Sequence, residues 1–467
     1  MTLRRFSTQV NISDVIVRRE FLSRAARVAM VAAASGWTDR GGPAPKPTIT
    51  LAAVGDCLIT RGFDRQDSGL QPLLSILRDA DVTFGNFEMT LPDPGMYPAA
   101  TGACGDLNNS ADGPMPEELR WAGFNIMGLA NNHALDYGID GMFATAKKVS
   151  SAGIVTAGTG RNLQEARSPA YYDSSGGRCA LIACASTIRP GSHATEGNGE
   201  IPGRPGLNAL RVHARYQVNA SQLAALKEIQ QGLFPGGSQS LIPPPKDETV
   251  VNFIGKKFFA GTSPDVITTS ELRDLTGIIA SVGRARRNAD FVLVTIHAHE
   301  AHGDREIPAT FLPEFAHACI DAGAHAFIGH GPHVLRGIEI YKGKPILYSL
   351  GNFIFTAEGM KQIPQEIYDT CSISGDDPSD FFDRAMKGFS DEVYWQSVVA
   401  HAIFIHGELS ELRLHPIDLQ PSLPRPERGL PIRADAEQSK AILDRLAKLS
   451  RPFGTRVTQE RGVGIVR

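Results

Sequence analysis

Beyond Pro47 the chain alternates short, wholly apolar runs with stretches whose apolar residues recur at helical spacing, and polar loops separate the two. "TITLAAVG", "DVTFGN", "FNIMGLA", "RCALIACA", "FVLVTIH" and "AHAFIG" read as buried strands. "GLQPLLSILRDA", "PEELRWAG", "GMFATAKKVSSAG", "SQLAALKEIQQG", "ELRDLTGIIASVGRARRNA" and "FLPEFAHACIDAG" read as helices between them. Strand and helix in alternation predict a layered α/β fold with substantial parallel sheet. "GIEIYKGKPILYSLGNF" predicts two strands around a Lys-Gly turn. A Pro/Gly-rich tract, "LFPGGSQSLIPPPKDE", followed by "FIGKKFFAGTSPD", interrupts the alternation and reads as an insertion at about 233–265. Near the C-terminus, "DAEQSKAILDRLAKLS" predicts a helix and "GVGIV" a strand that close the same domain, taken as 48–467. No internal repeat is visible.

The first residues follow a different pattern. In "VRREFLSRAARVAMVAAASG", Arg18 and Arg19 precede a modest apolar stretch and then small residues near Ala34 to Gly36. This resembles a twin-arginine export signal over residues 1–36, with 37–47 as linker and a periplasmic or extracytoplasmic mature protein. An amphipathic helix with arginine on one face is the plainer alternative. The stretch is short and broken by Arg24 and Arg27, which argues against a membrane span.

Composition narrows the function only by exclusion. Of 467 residues, 42% are hydrophobic, enough for a substantial core, and 47 Lys plus Arg against 50 Asp plus Glu leave a net charge of −3. A nucleic-acid partner is not expected without a broad basic field. Six scattered cysteines with no CxxC pair exclude a zinc ribbon or thioredoxin-type motif and are expected to be mostly buried thiols.

The candidate chemistry lies where strands end. Gly55-Asp56 follows the first strand, Asn86 and Glu88 the second, and Asn131-Asn132-His133 the third. His297, His299 and Glu300 follow "FVLVTI", and His330 and His333 follow "AHAFIG". Ligands bind beyond the carboxyl ends of strands in α/β sheets, so five clusters can converge on one site. Carboxylates, an amide oxygen and imidazoles suit Mn, Fe or Zn, with one or two ions expected. Taken singly, Asp56 and Glu88 read more readily as turn or capping residues, and Asn131 and Asn132 as turn formers, than as ligands. In "GHGPH", Gly and Pro fix a loop that lets His330 and His333 face one ion or two adjacent ones. His325 and His317 read instead as packed histidines.

In order and spacing, "AVGDCLI", "GNFEMTL", "ANNHALDYG", "TAGTGRNLQEARSP" and "IGHGPHVLRGIEIYKGKPILYSLGNFIF" resemble the CapA family of capsule (poly-γ-glutamate) synthesis proteins, within the calcineurin-like metallophosphoesterase superfamily. The resemblance implies a four-layer αββα sandwich, two mixed β-sheets flanked by helices, with a metal site at the strand ends. It implies Asp56 as first carboxylate ligand, Glu88 in place of the bridging carboxylate, Asn132 as amide ligand and His133 as the acid near the leaving group. His297, His330 and His333 would complete the site, and Asp136, three residues beyond His133, would orient that imidazole. Three departures stand out. Metallophosphoesterases usually begin with Asp-x-His, whereas Asp56 is followed by Cys57 and Leu58; Glu88 replaces an aspartate. The family's His-Trp-Gly-x-Glu is here "HAHEAHGDRE", which leaves His299, Glu300 and His302 as rival substitutes. The sequence thus supports an exported metal-dependent hydrolase acting on a phosphoester or an amide-linked anionic polymer. The alternative is a noncatalytic envelope protein that guides such a polymer within capsule synthesis machinery.

Overall fold

The computed structural model describes residues 48–100, 107–234, 249–374 and 377–467. The signal and linker reading at 1–47 lies outside these residues.

Two sheets dominate. The first has ten strands. Its central run, in spatial order, is Gln396–Ile405, Thr48–Leu58, Val82–Phe87, Ile126–Gly128 and Val155–Ala157, and Asn352–Phe355 pairs parallel with the end of Thr48–Leu58. The second has six strands, with Ala326–His330, Phe291–His297 and Gly177–Ala185 adjacent and parallel at its centre. Both are mixed, because antiparallel strands extend their margins.

Alternation along each strand explains the layering. Ile49, Leu51 and Ala53 point into a core shared with Leu181, Ala183, Leu293 and Ile328 of the second sheet, so the sheets pack face to face. Ala52 and Val54 point the other way, against Leu73, Leu74 and Leu77 of the helix Gln71–Asp79 and Leu119 of Met115–Ala122. On the far side, Ile182, Val292 and Val294 meet Ile278 and Val282 of the helix Leu272–Arg286 and Phe315 of Phe311–Asp321. The result is the expected helix–sheet–sheet–helix sandwich, and every central strand is apolar on both faces because both are covered.

Two local features differ from the sequence reading. The "FIGKKFFAGTSPD" stretch is not an open loop: Val250–Phe253 and Lys256–Ala260 form a hairpin that joins Val212–Val218 and Asp265–Ser270 in a four-stranded sheet. The long antiparallel pair Gln396–Ile405 and Glu408–Asp418 flanks the first strand and has no counterpart in the sequence-based expectation. Cys371 is disulfide-bonded, while Cys57, Cys179, Cys184 and Cys319 are buried free thiols.

Candidate metal centre

The strand ends of both sheets meet at one place. Asp56 reaches it through irregular backbone: the pairing of Thr48–Leu58 with Val82–Phe87 shifts between Ala53 and Asp56, and that with Asn352–Phe355 between Asp56 and Cys57. Gly55 permits this, since a Cβ there would lie 1.9 Å from the Gly351 carbonyl oxygen. The Asp56 N–H donates to the same carbonyl at 2.9 Å. Asp56 Oδ1 then accepts from Asn86 Nδ2 at 2.8 Å, and Oδ2 from the Gly331 N–H at 2.9 Å. The carboxylate is therefore fixed before any ligand arrives.

Imidazoles surround it. His297 and His330 end neighbouring parallel strands and are register partners, so their rings lie side by side, with Nδ1 atoms 3.0 Å apart. Asp56 Oδ1 is 3.3 Å from His330 Nδ1 and 3.7 Å from His297 Nδ1, and Oδ2 is 3.6 Å from His333 Nδ1. His333 holds this position with φ of 61°, uncommon for a residue with a side chain, after Gly331 at φ 114°. A Cβ on Gly331 would press to 2.9 Å from the His299 ring.

Glu88 sits opposite. Both of its carboxylate oxygens are buried with no hydrogen-bond partner among the described residues, yet Oε1 lies 3.5 Å from His297 Nε2, 3.9 Å from His133 Nε2 and 4.0 Å from His333 Nε2. Three overlapping sets of donors lie within 4.8 Å of one another: Asp56 with His297 and His330, Glu88 with His297 and His299, and Asp56 with Glu88 and His333.

The donor chemistry fits a divalent cation. Burial, then the charge of nearby Asp56, pushes the Glu88 carboxyl well above its ordinary range. Burial likewise holds His297, His299 and His333 below the ordinary imidazole value, so these rings are neutral near pH 7, the form that ligates. Burial also pushes Asp56 up, but the hydrogen bond to His330 and the surrounding imidazoles outweigh it and hold this carboxyl well below the usual range. One stranded carboxylate, one ionised carboxylate and neutral imidazoles form a group that a cation satisfies and that is costly to bury without one.

Outer residues brace the candidate donors. Asn86 ties Asp56, Asn131 donates to Asn86 Oδ1 at 3.2 Å and to the Phe87 carbonyl at 2.8 Å, and Asn352 Oδ1 meets His333 Nδ1 at 2.8 Å. The run that contains Asn131 therefore divides its labour. Asn131 is structural, while Asn132 keeps a buried Oδ1 with no hydrogen-bond partner among the described residues. His133 Nδ1 pairs with Asp136 Oδ2 at 2.6 Å, and Asp136 Oδ1 is held by Arg189 Nη2 at 3.0 Å.

The rivalry in "HAHEAHGDRE" is decided by side-chain direction. His299 Nε2 lies 2.9 Å from His297 Nε2 and joins the donors, whereas Glu300 turns away to Ser186 and Thr187 at 2.8 and 2.9 Å. His302 pairs with Asp265 at 2.6 Å instead. Fully buried Arg336 fixes the loop by donating to the carbonyls of Ala298, His299, Glu300 and Arg305. Cys57 faces the helix layer, one residue out of phase with Asp56, and takes no part. His325 stacks on Phe291 and His317 on Tyr341, both as packed side chains away from the donors. Sequence reasoning missed Arg189. The signal was available, because Arg189 follows the end of "RCALIACA" just as the other polar clusters follow theirs.

Two face-to-face mixed sheets, helices on both outer faces and a carboxylate–imidazole cluster at the strand ends define a metallophosphoesterase-like α/β sandwich. The family model for the bacterial capsule synthesis protein PGA_cap matches residues 50–357, and the chain belongs to that family. It is also similar along nearly its whole length to the protein y4uA of Sinorhizobium fredii, 37% identical over 437 residues that cover 90% of this chain and 93% of that one. The capsule biosynthesis protein CapA of Bacillus anthracis is 26% identical over 315 residues, covering 66% of this chain and 60% of that protein. The PGA biosynthesis protein CapA of Bacillus subtilis is 25% identical over 313 residues, covering 66% and 63%.

Proposed function

We propose that this chain is an exported, metal-dependent hydrolase of capsule synthesis that cleaves a phosphoester or a related bond of an anionic polymer. The observation that carries the reading is Glu88: two buried, unpartnered carboxylate oxygens facing imidazoles have no use in a purely structural core. In this reading Asp56, Glu88, Asn132, His297, His299, His330 and His333 hold one or two ions of Mn, Fe or Zn. Such an ion supplies Lewis acidity toward the scissile group and makes water a competent nucleophile near neutral pH. His133 has its Nδ1 taken by Asp136, which leaves Nε2 to carry the proton given to the leaving group. Arg189 keeps Asp136 in place from the opposite side. Capsule and poly-γ-glutamate synthesis enter through the family and the relatives' names. Export rests on the Arg18-Arg19 segment and is favoured by the disulfide at Cys371, a bond suited to an oxidising compartment. No helix among the described residues is long and apolar enough to cross a membrane.

The test is turnover of a phosphomonoester, a phosphodiester and poly-γ-glutamate by manganese-loaded protein, beside His133→Ala and His330→Ala. Cleavage of at least one substrate should vanish in both variants while their circular dichroism stays native. Full activity in both variants, or silence on all three substrates from protein shown to hold manganese, rejects catalysis. The second outcome favours a noncatalytic polymer guide, a role that Cys57 and Leu58, in place of the usual Asp-x-His ending, also support.

A further inference from the structure

We propose that the cavity bounded by the helix Leu163–Ala166, the loop His193–Glu196 and the first turn of the helix Leu272–Arg286 is a second binding site, separate from the metal centre, for a carboxylate-bearing chain. Its volume, about 710 Å³, is in the range of small-molecule sites and exceeds what an inorganic ion fills. Arg167 is the central observation. It lines the cavity, is only 9% exposed, and its Nε has no hydrogen-bond partner among the described residues. A buried guanidinium with an unsatisfied N–H is costly, and the field of an oxyanion in the cavity offsets part of that cost.

The wall around Arg167 is built for that charge. Arg167 Nη2 meets Asp274 Oδ1 at 2.9 Å, and Arg211 reaches the same carboxylate through Nε at 2.7 Å and Nη2 at 3.1 Å. Two guanidiniums thus share one acid, and Arg273 brings the lining to three arginines against two acids, Asp274 and Glu196. The cavity also faces the positive end of a 15-residue helix. Gly277, on the second turn of that helix, makes room: a Cβ there would fall 2.3 Å from Arg167 Nη1. Glycine is a poor choice inside a helix, so the space it leaves for the guanidinium accounts for its presence. Burial, and then the positive fields of Arg204 and Arg211, hold His193 below its ordinary value, in keeping with an electropositive lining.

The remaining walls favour a chain over a bare anion. Leu163, Ala194, Ala209 and Leu272 line the cavity beside the arginines, so methylenes can lie on the walls while a carboxylate faces the cationic side of Arg211 and Arg273. One loop connects the two sites. Ser186 and Thr187 hold Glu300 and Arg189 holds Asp136, whereas His193 to Glu196 line the cavity. Binding there requires no turnover at the metal centre.

The experiment is calorimetric titration of the full chain carrying His133→Ala, with oligo-glutamate and separately with inorganic phosphate, so that the hydrolase reading cannot affect the result. Oligo-glutamate should bind, lose affinity as salt rises, and bind about tenfold or more weakly to the Arg211→Ala/Arg273→Ala double variant and to Gly277→Ala, with manganese content unchanged. The double variant alters exposed side chains and remains informative if Gly277→Ala does not fold. Equal affinity in the folded variants, phosphate binding as tightly as oligo-glutamate, or no binding of either probe overturns the proposal.

Discussion

At the scale of single residues, the proposed function divides ligating, bracing and proton-handling roles among neighbours in the chain. Asn131 and Asn132 are chemically identical and adjacent, yet one is consumed by hydrogen bonds to Asn86 and Phe87 and the other keeps its amide oxygen open. The sequence shows that Asp56, Glu88, His297, His330 and His333 end strands, and the fold brings them together. It does not show which of His299, Glu300 and His302 turns inward, because all three lie in one irregular loop where no period fixes direction. Buried Arg336 fixes that loop from a position more than 30 residues away in the chain. Asp136 offers a residue-scale test. With an amide in place of the carboxylate, His133 loses the partner that fixes its tautomer and stabilises its charge. Asp136→Asn should lower turnover by roughly 100-fold or more without loss of bound manganese. Unchanged turnover in a variant with full metal content would remove Asp136 from the mechanism.

At the scale of elements, the wholly apolar runs located the central strands, and the loops at their ends marked the site. What stayed illegible was antiparallel. The strands Gln396–Ile405 and Glu408–Asp418 meet through a tight turn in which His406 and Gly407 both take positive φ, 53° and 77°. A His-Gly pair is a weaker turn signal than the Lys-Gly pair at 342–343, whose positive φ values do close the expected hairpin. The hairpin at 250–260 was hidden by a glycine-rich context that reads as loop. Strand pairing in the second sheet also carries a titratable link. His325 Nδ1 accepts the Val292 N–H at 2.9 Å, and burial, followed by the charges of Arg286 and Lys344, pushes its pKa down to about 3 from an ordinary 6.5. In the unfolded chain this imidazole binds a proton below about pH 6.5, whereas the folded one resists until near pH 3. Its contribution is therefore fully present above the unfolded value and is lost as pH falls between the two, at roughly 1.4 kcal/mol per pH unit. Urea midpoints at pH 7 and pH 4.5 should fall less for His325→Gln than for the unaltered protein. Equal losses would show that His325 does not govern the acid sensitivity.

At the scale of the whole molecule, two sheets contribute the site jointly. Asp56 and Glu88 come from the strand ends of the first sheet and His297 and His330 from the second, so the donor cluster exists only when the sandwich has closed. Closure strands the Glu88 carboxylate beside Asp56, in a protein whose net charge of −3 gives no general cationic relief. We propose that a divalent ion resolves this conflict. The most direct measurement is manganese binding to metal-free protein, followed by electron paramagnetic resonance and thermal melting, for the unaltered chain and Glu88→Gln. Manganese should bind the unaltered protein and raise its melting temperature, while metal-free Glu88→Gln should melt no lower than the unaltered apoprotein and bind the ion much more weakly. If the unaltered protein takes up no manganese, iron or zinc, or if Glu88→Gln binds them equally well, the cluster at the strand ends is not a metal centre built around Glu88.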